Sequence, residues 1–343
     1  MDYLEIEFEP DALTRFSEVE LKGSMGDPTG AREYSTLSSE PQEKWKSTLA
    51  NPLRKEWCRR YLRFLGNERL EVMGYDGKQI IGELASQPTN INQFLPDLNS
   101  IPPEKLRRAK TLVINYPNNP TGASATPEFF ASVVAFAKKN NLIVIHDAAY
   151  AALVFGGKPL SFLATPGAMD IGLELHSMSK GFNMTGWRLG FVAGHPQLVR
   201  AYADVKDNTD SGQFLAIQEA CAYALDHPQI TEKIAAKYSR RMDGLVTVLN
   251  RHNLPAKKPG GSFFLYVKSP RSAQAKNGDR VTFERAEHFS QWLIAEKLIS
   301  TVPWDDAGAY VRFSVTFNAK DEKDETRVLT EINHRLTNTQ FTY

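Results

Sequence analysis

The sequence predicts an α/β protein, in which a mostly parallel sheet flanked by helices is followed by a smaller C-terminal α+β domain. The apolar runs "TLVIN" (111–115) and "LIVIH" (142–146) flank a segment of helical length, and this strand–helix–strand order favours parallel pairing. After "KKPGG" (257–261) strand and helix patterns follow in an order typical of an α+β unit.

The first part of the chain has the weakest patterns. Residues 23–42 are rich in Gly, Pro and Ser and indicate a loop, whereas 53–66 has apolar residues at helical spacing. A short helix is expected near "PPEKLRRA" (102–109). We predict an N-terminal arm over 1–50, a large domain over 51–244 and a small domain over 245–343.

The helix between the first two strands has clear end signals. Thr126 suits the N-cap, Pro127 suits the first helical position, and the last turn is basic. Further strands are predicted at 172–176, 188–194, 262–268, 298–303 and 310–317, and further helices at 196–206, 212–226, 230–250, 283–297 and 322–336.

Composition excludes several functional classes. Hydrophobic residues make up 42% and charged residues 24% of the 343 residues, and the formal net charge of +1 gives no reason to expect nucleic acid or a membrane surface as partner. The two cysteines have no metal-ligand spacing and indicate no disulfide framework. The N-terminus lacks the apolar stretch of a signal peptide, so we expect a cytoplasmic protein. We expect no bound metal, because the cysteines lack metal-ligand spacing.

Three loops follow strands of the predicted parallel sheet, at 115–122, 146–150 and 177–188. Ligands of such sheets bind beyond the carboxyl ends of the strands. The loops together offer an amine, a carboxylate, a phenol and a group of hydroxyls with a guanidinium that suits a phosphate. These functional groups belong to Asn119, Asp147, Tyr150, Ser177, Ser179, Lys180 and Arg188.

The same loops resemble a known family. "SMSKGFNMTGWRLGF" (177–191), "NNPTG" (118–122) and "HDAAY" (146–150) are similar to the signatures of fold-type I aminotransferases of class I/II, which depend on pyridoxal 5'-phosphate (PLP). Residues 94–337 also resemble the LL-diaminopimelate aminotransferase branch, through "FLPDLNSIP", "DNTDSGQFLAIQ" and "STVPWDDAGAYVRFSVTF". The resemblance implies transamination between an amino acid and a 2-oxo acid, by a homodimer.

The resemblance also implies a role for each residue. Lys180 would bond PLP as a Schiff base and later move a proton, and Asp147 would face the pyridine nitrogen. Tyr150 and Asn119 would contact the ring hydroxyl. Ser177 and Arg188 would bind the phosphate, with Ser179 a weaker candidate, and Arg312 would bind the substrate carboxylate. In the implied homodimer, Tyr34 is a candidate for a contact with the partner subunit's site.

Most of these residues also have a structural interpretation that involves no cofactor or substrate. In the structural interpretation Asp147 only caps a helix, Tyr150 is a core residue, Arg188 pairs with a structural acid, and Asn119 serves only its turn. Arg312 is in that case a surface residue of an alternating strand. His146 and His176 are interpreted as satisfied histidines, and "VPWDDAG" (302–308) as a turn and not an acidic metal site.

The chain departs from the family pattern before residue 94. The glycine–serine turn that binds the cofactor phosphate is missing, and Gly74–Lys78 are the nearest match. The aromatic residue that stacks on the pyridine ring is not found. We therefore expect PLP affinity about a hundredfold weaker than in a full-length relative. A PLP-dependent Cβ lyase and a PLP-binding scaffold with little turnover remain alternatives, whereas a nucleotide-binding protein lacks its G-x-G-x-x-G motif.

Overall fold

The computed structural model describes residues 94–210, 212–275, 278–305 and 308–343. All of them belong to one compact unit, Gly66–Tyr343, and the other unit, Met1–Leu65, lies outside the described residues, as does the helix predicted at 53–66. No helix in the described ranges combines the length and apolar character needed to cross a membrane.

The main sheet has four strands in the order β1-β2-β3-β4. They are β1 (Thr111–Asn115), β2 (Ile143–Asp147), β3 (Gly172–Ser177) and β4 (Gly190–Gly194). The first three run parallel and β4 runs antiparallel to β3. The predicted mostly parallel sheet is confirmed.

Helix α1 (Pro103–Arg108) precedes β1, and helix α2 (Pro127–Lys139) connects β1 to β2. The predicted end signals of α2 are confirmed, because Thr126 Oγ1 accepts a hydrogen bond from the Phe129 backbone N–H at 3.1 Å. The buried face of α2 packs in one core with the sheet strands β1 and β2. That face consists of Phe129, Phe130, Val133, Val134 and Ala137.

Four helices follow the last two strands of the sheet. The four-residue helix α3 (Met178–Gly181) begins directly after β3, and α4 (Pro196–Lys206) begins after β4. Helices α5 (Leu215–Leu225) and α6 (Gln229–Arg251) complete the set. Short 3-10 turns lie at Leu98–Ser100, Phe162–Ala164 and Thr185–Trp187.

The C-terminal part contains two small antiparallel sheets and the helices α7 (Ala286–Lys297) and α8 (Glu322–Leu336). The strands are β5 (Phe264–Lys268), β6 (Ser272–Ala275), β7 (Arg280–Thr282), β8 (Val302–Trp304), β9 (Tyr310–Ser314) and β10 (Thr339–Thr342). One sheet has the strand order β5-β9-β8 and the other has the order β10-β6-β7. A second core joins these sheets to α6, α7 and α8. The sequence patterns predict β5, β8 and β9 but not β6, β7 and β10.

Candidate functional site

The candidate site lies at one edge of the main sheet. The parallel register places Asn115, the last residue of β1, opposite Asp147 on β2, and Asp147 opposite Leu175 on β3. The segments that follow the three strands therefore emerge side by side. They carry the predicted residues Asn119, Asp147, Tyr150, Ser177 and Lys180.

The turn after β1 is tied to the end of β2 through one side chain, that of Asn115. Asn115 Oδ1 accepts a hydrogen bond from the Asn119 backbone N–H at 2.9 Å, and Asn115 Nδ2 donates to the Asp147 carbonyl oxygen at 2.9 Å. Asn119 and Asp147 are thus held together by a residue whose amide offers both an acceptor and a donor.

Gly122 closes the same turn against the C-terminal part of the chain. Its φ is +69°, in the left-handed region, and an added Cβ would lie 2.6 Å from Pro259 Cβ and 2.9 Å from the Phe264 carbonyl oxygen. Only glycine fits both the conformation and the space. The turn that bears Asn119 consequently approaches strand β5 closely.

Arg312 of β9 reaches this turn. Its Nη1 donates to Asn119 Oδ1 at 2.6 Å, and its guanidinium carbon lies 3.9 Å from the centre of the Phe264 ring. Burial lowers the pKa of Arg312, an effect that the nearby Tyr150 hydroxyl opposes. A guanidinium fixed by one hydrogen bond and one aromatic face keeps further N–H donors for a carboxylate.

Tyr150 is buried, and its ring lies 5.4 Å from that of Phe263 and 5.8 Å from that of Phe264. Burial raises the pKa of the Tyr150 hydroxyl; the charge of Arg312 opposes this rise and that of Asp147 adds to it. The phenol therefore keeps its proton at neutral pH and can donate a hydrogen bond. Its ring belongs to the core, as the structural interpretation expected, and the role of its hydroxyl in the site stays a prediction.

Asp147 is half-buried at the carboxyl end of β2. Its Oδ1 accepts a hydrogen bond from the Ala149 backbone N–H at 3.2 Å. Residues 149–152 form a turn, so this contact is not the helix cap that the structural interpretation considered. Its other oxygen, Oδ2, has no hydrogen-bond partner within the described part of the chain. That oxygen can accept a hydrogen bond from a bound group.

Lys180 is held by helix α3, one turn beyond the end of β3. Ser177 is the N-cap of this helix, and its Oγ accepts a hydrogen bond from the Ser179 backbone N–H at 3.2 Å. Among the described residues, none forms a hydrogen bond or ion pair with Lys180 Nζ. The amine is therefore available for a bond to another molecule.

Arg188 lies in the loop between α3 and β4, with a left-handed φ of +53° and an exposed side chain. Its Nη1 donates to the Thr185 carbonyl oxygen at 3.1 Å, and Thr185 Oγ1 donates to the Ser179 carbonyl oxygen at 2.8 Å. None of the acidic residues in the described ranges pairs with Arg188. The role of Arg188 in phosphate binding stays a prediction.

Two predicted parts of the site lie outside the described residues. They are Tyr34 and the segment Gly74–Lys78.

The remaining candidates have structural partners. Asp305 caps helix α7 by accepting hydrogen bonds from its first two backbone N–H groups, at 2.7 and 3.2 Å. His146 is fully buried, and both of its ring nitrogens lie within hydrogen-bonding distance of oxygen atoms. His176 contacts Glu174 at 3.0 Å. The interpretation of both histidines as satisfied side chains agrees with these contacts.

Three residues of the site region were missed in the sequence. Phe264 forms the platform under Arg312, Asn115 links two strand ends, and Glu174 is a buried carboxylate in the middle of β3. Glu174 had a visible signal, because a single acidic residue in the otherwise apolar "GLEL" must find partners if the strand is buried. Phe264 and Asn115 had no local signal, since their roles depend on neighbours distant in sequence.

The assembled groups suit chemistry at a carbonyl and an amino acid. A lysine amine can bond covalently to an aldehyde, a carboxylate can hold a protonated ring nitrogen, and a guanidinium can bind a carboxylate. This is the set that the resemblance to PLP enzymes implies.

Comparisons with known proteins show which proteins this chain is similar to. A family model described as aminotransferase class I and II matches residues 76–332. The LL-diaminopimelate aminotransferase of Methanocaldococcus jannaschii is 55% identical over 71% of this chain and 59% of its own length. That of Methanococcus maripaludis is 53% identical over 74% of this chain and 61% of its own. The chain thus spans about three-fifths of the length of these relatives.

Two solved structures are also similar to this chain. Substrate-bound BacF from Bacillus subtilis has a TM-score of 0.65 and 34% identity, over 74% of this chain and 62% of that one. A double mutant of the Thermus thermophilus aspartate aminotransferase has a TM-score of 0.58 and 26% identity, over 71% of this chain and 61% of that one.

Proposed function

Because this chain belongs to the family of class I and II aminotransferases, we propose that its sheet edge binds PLP and transfers an amino group between an amino acid and a 2-oxo acid. The observation that carries the proposal is that Asn119, Asp147 and Lys180 lie at or just beyond the carboxyl ends of three adjacent parallel strands. Members of the family use PLP as their cofactor, and the described residues fit it.

The fit extends to most chemical groups of PLP. The amine of Lys180 matches the aldehyde, and Asp147 Oδ2 matches the ring nitrogen. The Tyr150 hydroxyl and Asn119 Nδ2 are donors for the ring oxygen, since Asn119 Oδ1 is already engaged by Arg312. Ser177 and Arg188 supply a hydroxyl and a guanidinium for the phosphate.

PLP, when bound, supplies an electron sink for the electron pair left on the substrate Cα after a proton departs. Asp147 holds the proton on the ring nitrogen, because a carboxylate favours the charged pyridinium form. The Lys180 amine would accept the proton from the substrate Cα and pass it to the carbon C4′ of the cofactor. Tyr150 and Asn119 fix the plane in which this transfer takes place.

Arg312 is proposed to bind the substrate α-carboxylate. Its planar fork suits two parallel hydrogen bonds, and the contact with Asn119 sets the orientation of that fork. Asn119 belongs to the turn after β1, and its side chain accepts a hydrogen bond from Arg312. This one residue would therefore align the substrate carboxylate with the cofactor.

The proposed substrates are LL-diaminopimelate as amino donor and 2-oxoglutarate as acceptor, in lysine biosynthesis. Relatives of that name at 53–55% identity support this choice. No described residue is assigned to the distal end of the donor. A panel of amino donors assayed with 2-oxoglutarate tests the proposal, and release of ammonia without an acceptor would indicate the Cβ lyase instead.

Borohydride trapping followed by peptide mapping tests the chemistry itself. The purified chain incubated with PLP and reduced should carry the label on Lys180. Label on another lysine, or none with PLP demonstrably bound, would reject the assignment. PLP that binds at Lys180 without measurable transfer to any acceptor would support the low-turnover scaffold.

A homodimer in the cytoplasm completes the proposal. Sites in the family are built at subunit interfaces, and the free buried thiol of Cys221 is compatible with a reducing compartment. The boundaries 1–50, 51–244 and 245–343 remain part of the proposal as well. Sedimentation of an active protein as a monomer would reject the dimer.

A further inference from the structure

One buried ring, that of His146, connects the three parallel strands that bear the site. His146 of β2 is fully buried, its Nδ1 lies 2.9 Å from Glu174 Oε1 on β3, and its Nε2 lies 3.0 Å from the carbonyl oxygen of Tyr116, the residue that follows β1. His146 thereby connects β2 to both of its neighbours through side-chain contacts, in addition to the backbone ladder.

The contacts lie on the face of the sheet opposite Asp147, because successive side chains of a strand point to opposite faces. His146 and Glu174 stand directly across from each other in the register. The rings of Phe130 and Phe162 cover the histidine ring, with centroids 5.2 and 6.4 Å away. In such an apolar surrounding a hydrogen bond is stronger than in water, and a lost partner costs more.

Glu174 has a full set of partners. It is 2% exposed and accepts hydrogen bonds from the Ser161 hydroxyl at 2.9 Å and the Phe162 backbone N–H at 2.5 Å, besides its contacts with His146 and His176. Burial would raise the pKa of Glu174, but hydrogen bonds from His146, His176 and Ser161 hold it well below the usual range. The Glu174 carboxylate and the Tyr116 carbonyl both accept hydrogen bonds, so each ring nitrogen of His146 faces an acceptor.

We propose that His146 and Glu174 are positioning residues, which hold the carboxyl ends of β1, β2 and β3 in the arrangement that receives PLP. The inference rests on the proposed function. Each of the three connected residues precedes a site residue in the sequence. Tyr116 lies three positions before Asn119, His146 lies one before Asp147, and Glu174 lies three before Ser177. Small shifts of these ends would separate groups that must meet one cofactor.

The test measures PLP affinity of the apoprotein by equilibrium dialysis for four variants. His146→Phe keeps an aromatic ring but removes both hydrogen bonds, and the dissociation constant for PLP should rise roughly 10- to 100-fold. His146→Asn retains a donor near Nδ1 for Glu174, and His146→Gln retains one near Nε2 for Tyr116. Both should recover part of the affinity, and they keep the test valid if His146→Phe does not fold.

Arg241→Met is the matched control. It breaks another buried ion pair, with Glu325, which lies between helices α6 and α8. Its PLP affinity should stay within about twofold of wild type although its stability falls. Equal loss of affinity in both variants would show that His146 acts only through general stability and would overturn the proposal.

Hydrogen–deuterium exchange of the apoprotein gives a readout that needs no cofactor. Peptides covering residues 116–123 and 177–182 should exchange faster in His146→Phe and as in wild type in Arg241→Met. Unchanged exchange and unchanged affinity in every His146 variant would refute the positioning role. Failure of the wild type to be labelled at Lys180 would reject the proposed function alone, since exchange still reports on the strand ends.

Discussion

Two buried contacts between a basic side chain and a carboxylate lie in different regions of the part of the chain that the structure describes. In the main sheet His146 and Glu174 are 0% and 2% exposed, and between α6 and α8 Arg241 and Glu325 are 3% and 5% exposed. The sheet pair joins adjacent strands whose next residues form the candidate site, whereas the helix pair joins two helices that carry none of the predicted site residues. Similar chemistry therefore serves a different purpose in each region.

The helix pair has the features of an architectural contact. Arg241 Nε donates to Glu325 Oε1 at 2.8 Å, and Arg241 Nη1 donates to the carbonyl oxygens of Val315 and Phe317 at 3.2 and 2.7 Å. The guanidinium thus donates hydrogen bonds to two backbone carbonyls just after β9 and fixes α8 against α6. Burial and charge therefore identify a contact that is costly to break, but the elements that the contact joins determine its role.

The largest effect is expected from Lys180→Ala. Without the amine, PLP cannot be trapped by borohydride, and turnover should fall roughly 10⁴-fold or more, because covalent attachment and proton transfer are both lost. The urea midpoint should not change, since Lys180 makes no hydrogen bond or ion pair within the described residues. A variant that keeps near-wild-type turnover would remove Lys180 from the site.

The opposite profile is expected from Arg241→Met. Loss of the guanidinium leaves Glu325 and two carbonyl oxygens with fewer donors, and breaking a buried pair from one side costs about 3–5 kcal/mol of unfolding free energy. Urea unfolding with an unchanged slope should report this loss. Turnover per folded molecule should match wild type, and a selective loss of activity would mean that the two regions are coupled.

Tyr150→Phe should give a smaller effect confined to the site. The ring contacts with Phe263 and Phe264 remain, so stability should change little. Loss of one donated hydrogen bond, worth about 1.5 kcal/mol, predicts a drop in turnover of roughly tenfold. If turnover is unchanged, Tyr150 is a core residue only.

Much of this organisation follows from local sequence. The helices at 196–206 and 322–336 have the predicted bounds, because proline or an acidic cap marks each start. Strands β6, β7 and β10 were missed, since "SAQA", "RVT" and "TQFT" are short and weakly apolar. Strand β10 pairs with β6, more than sixty residues earlier, and no local pattern contains that information.

The candidate site likewise combines residues that local motifs indicate with residues that only the fold brings together. Lys180, Asp147 and Asn119 stand in short motifs whose residue types reveal their chemistry. The Phe264 platform and the link from His146 to Tyr116 arise only when distant segments meet. Short motifs therefore contain the candidate reacting groups, whereas the residues that hold these groups in place become visible only in the folded chain.

The smallest expected effect is a pH dependence of the contact between Glu325 and its two arginines. Burial would raise the pKa of Glu325, but hydrogen bonds from Arg240 and Arg241 lower it overall. A carboxyl whose folded pKa lies below its unfolded value of about 4.3 stabilises the fold above that value, and this stability is lost as pH falls through the folded pKa. Both arginines stay charged throughout, so the carboxylate alone titrates.

Glu325→Gln removes this titration while its amide oxygen can still accept from Arg241. Its urea midpoint should lie below that of wild type at pH 7, and the gap should close as pH falls below about 4.3, by at most about 1.36 kcal/mol per pH unit. Glu331→Gln, an exposed control whose carboxylate pairs with Arg335, should follow the wild-type curve closely. A gap that stays constant from pH 7 into the acid range would show that Glu325 stabilises the helices by shape and not by charge. The PLP affinity of Glu325→Gln at pH 7 should equal that of wild type, because its region supports the fold and the sheet pair supports the site.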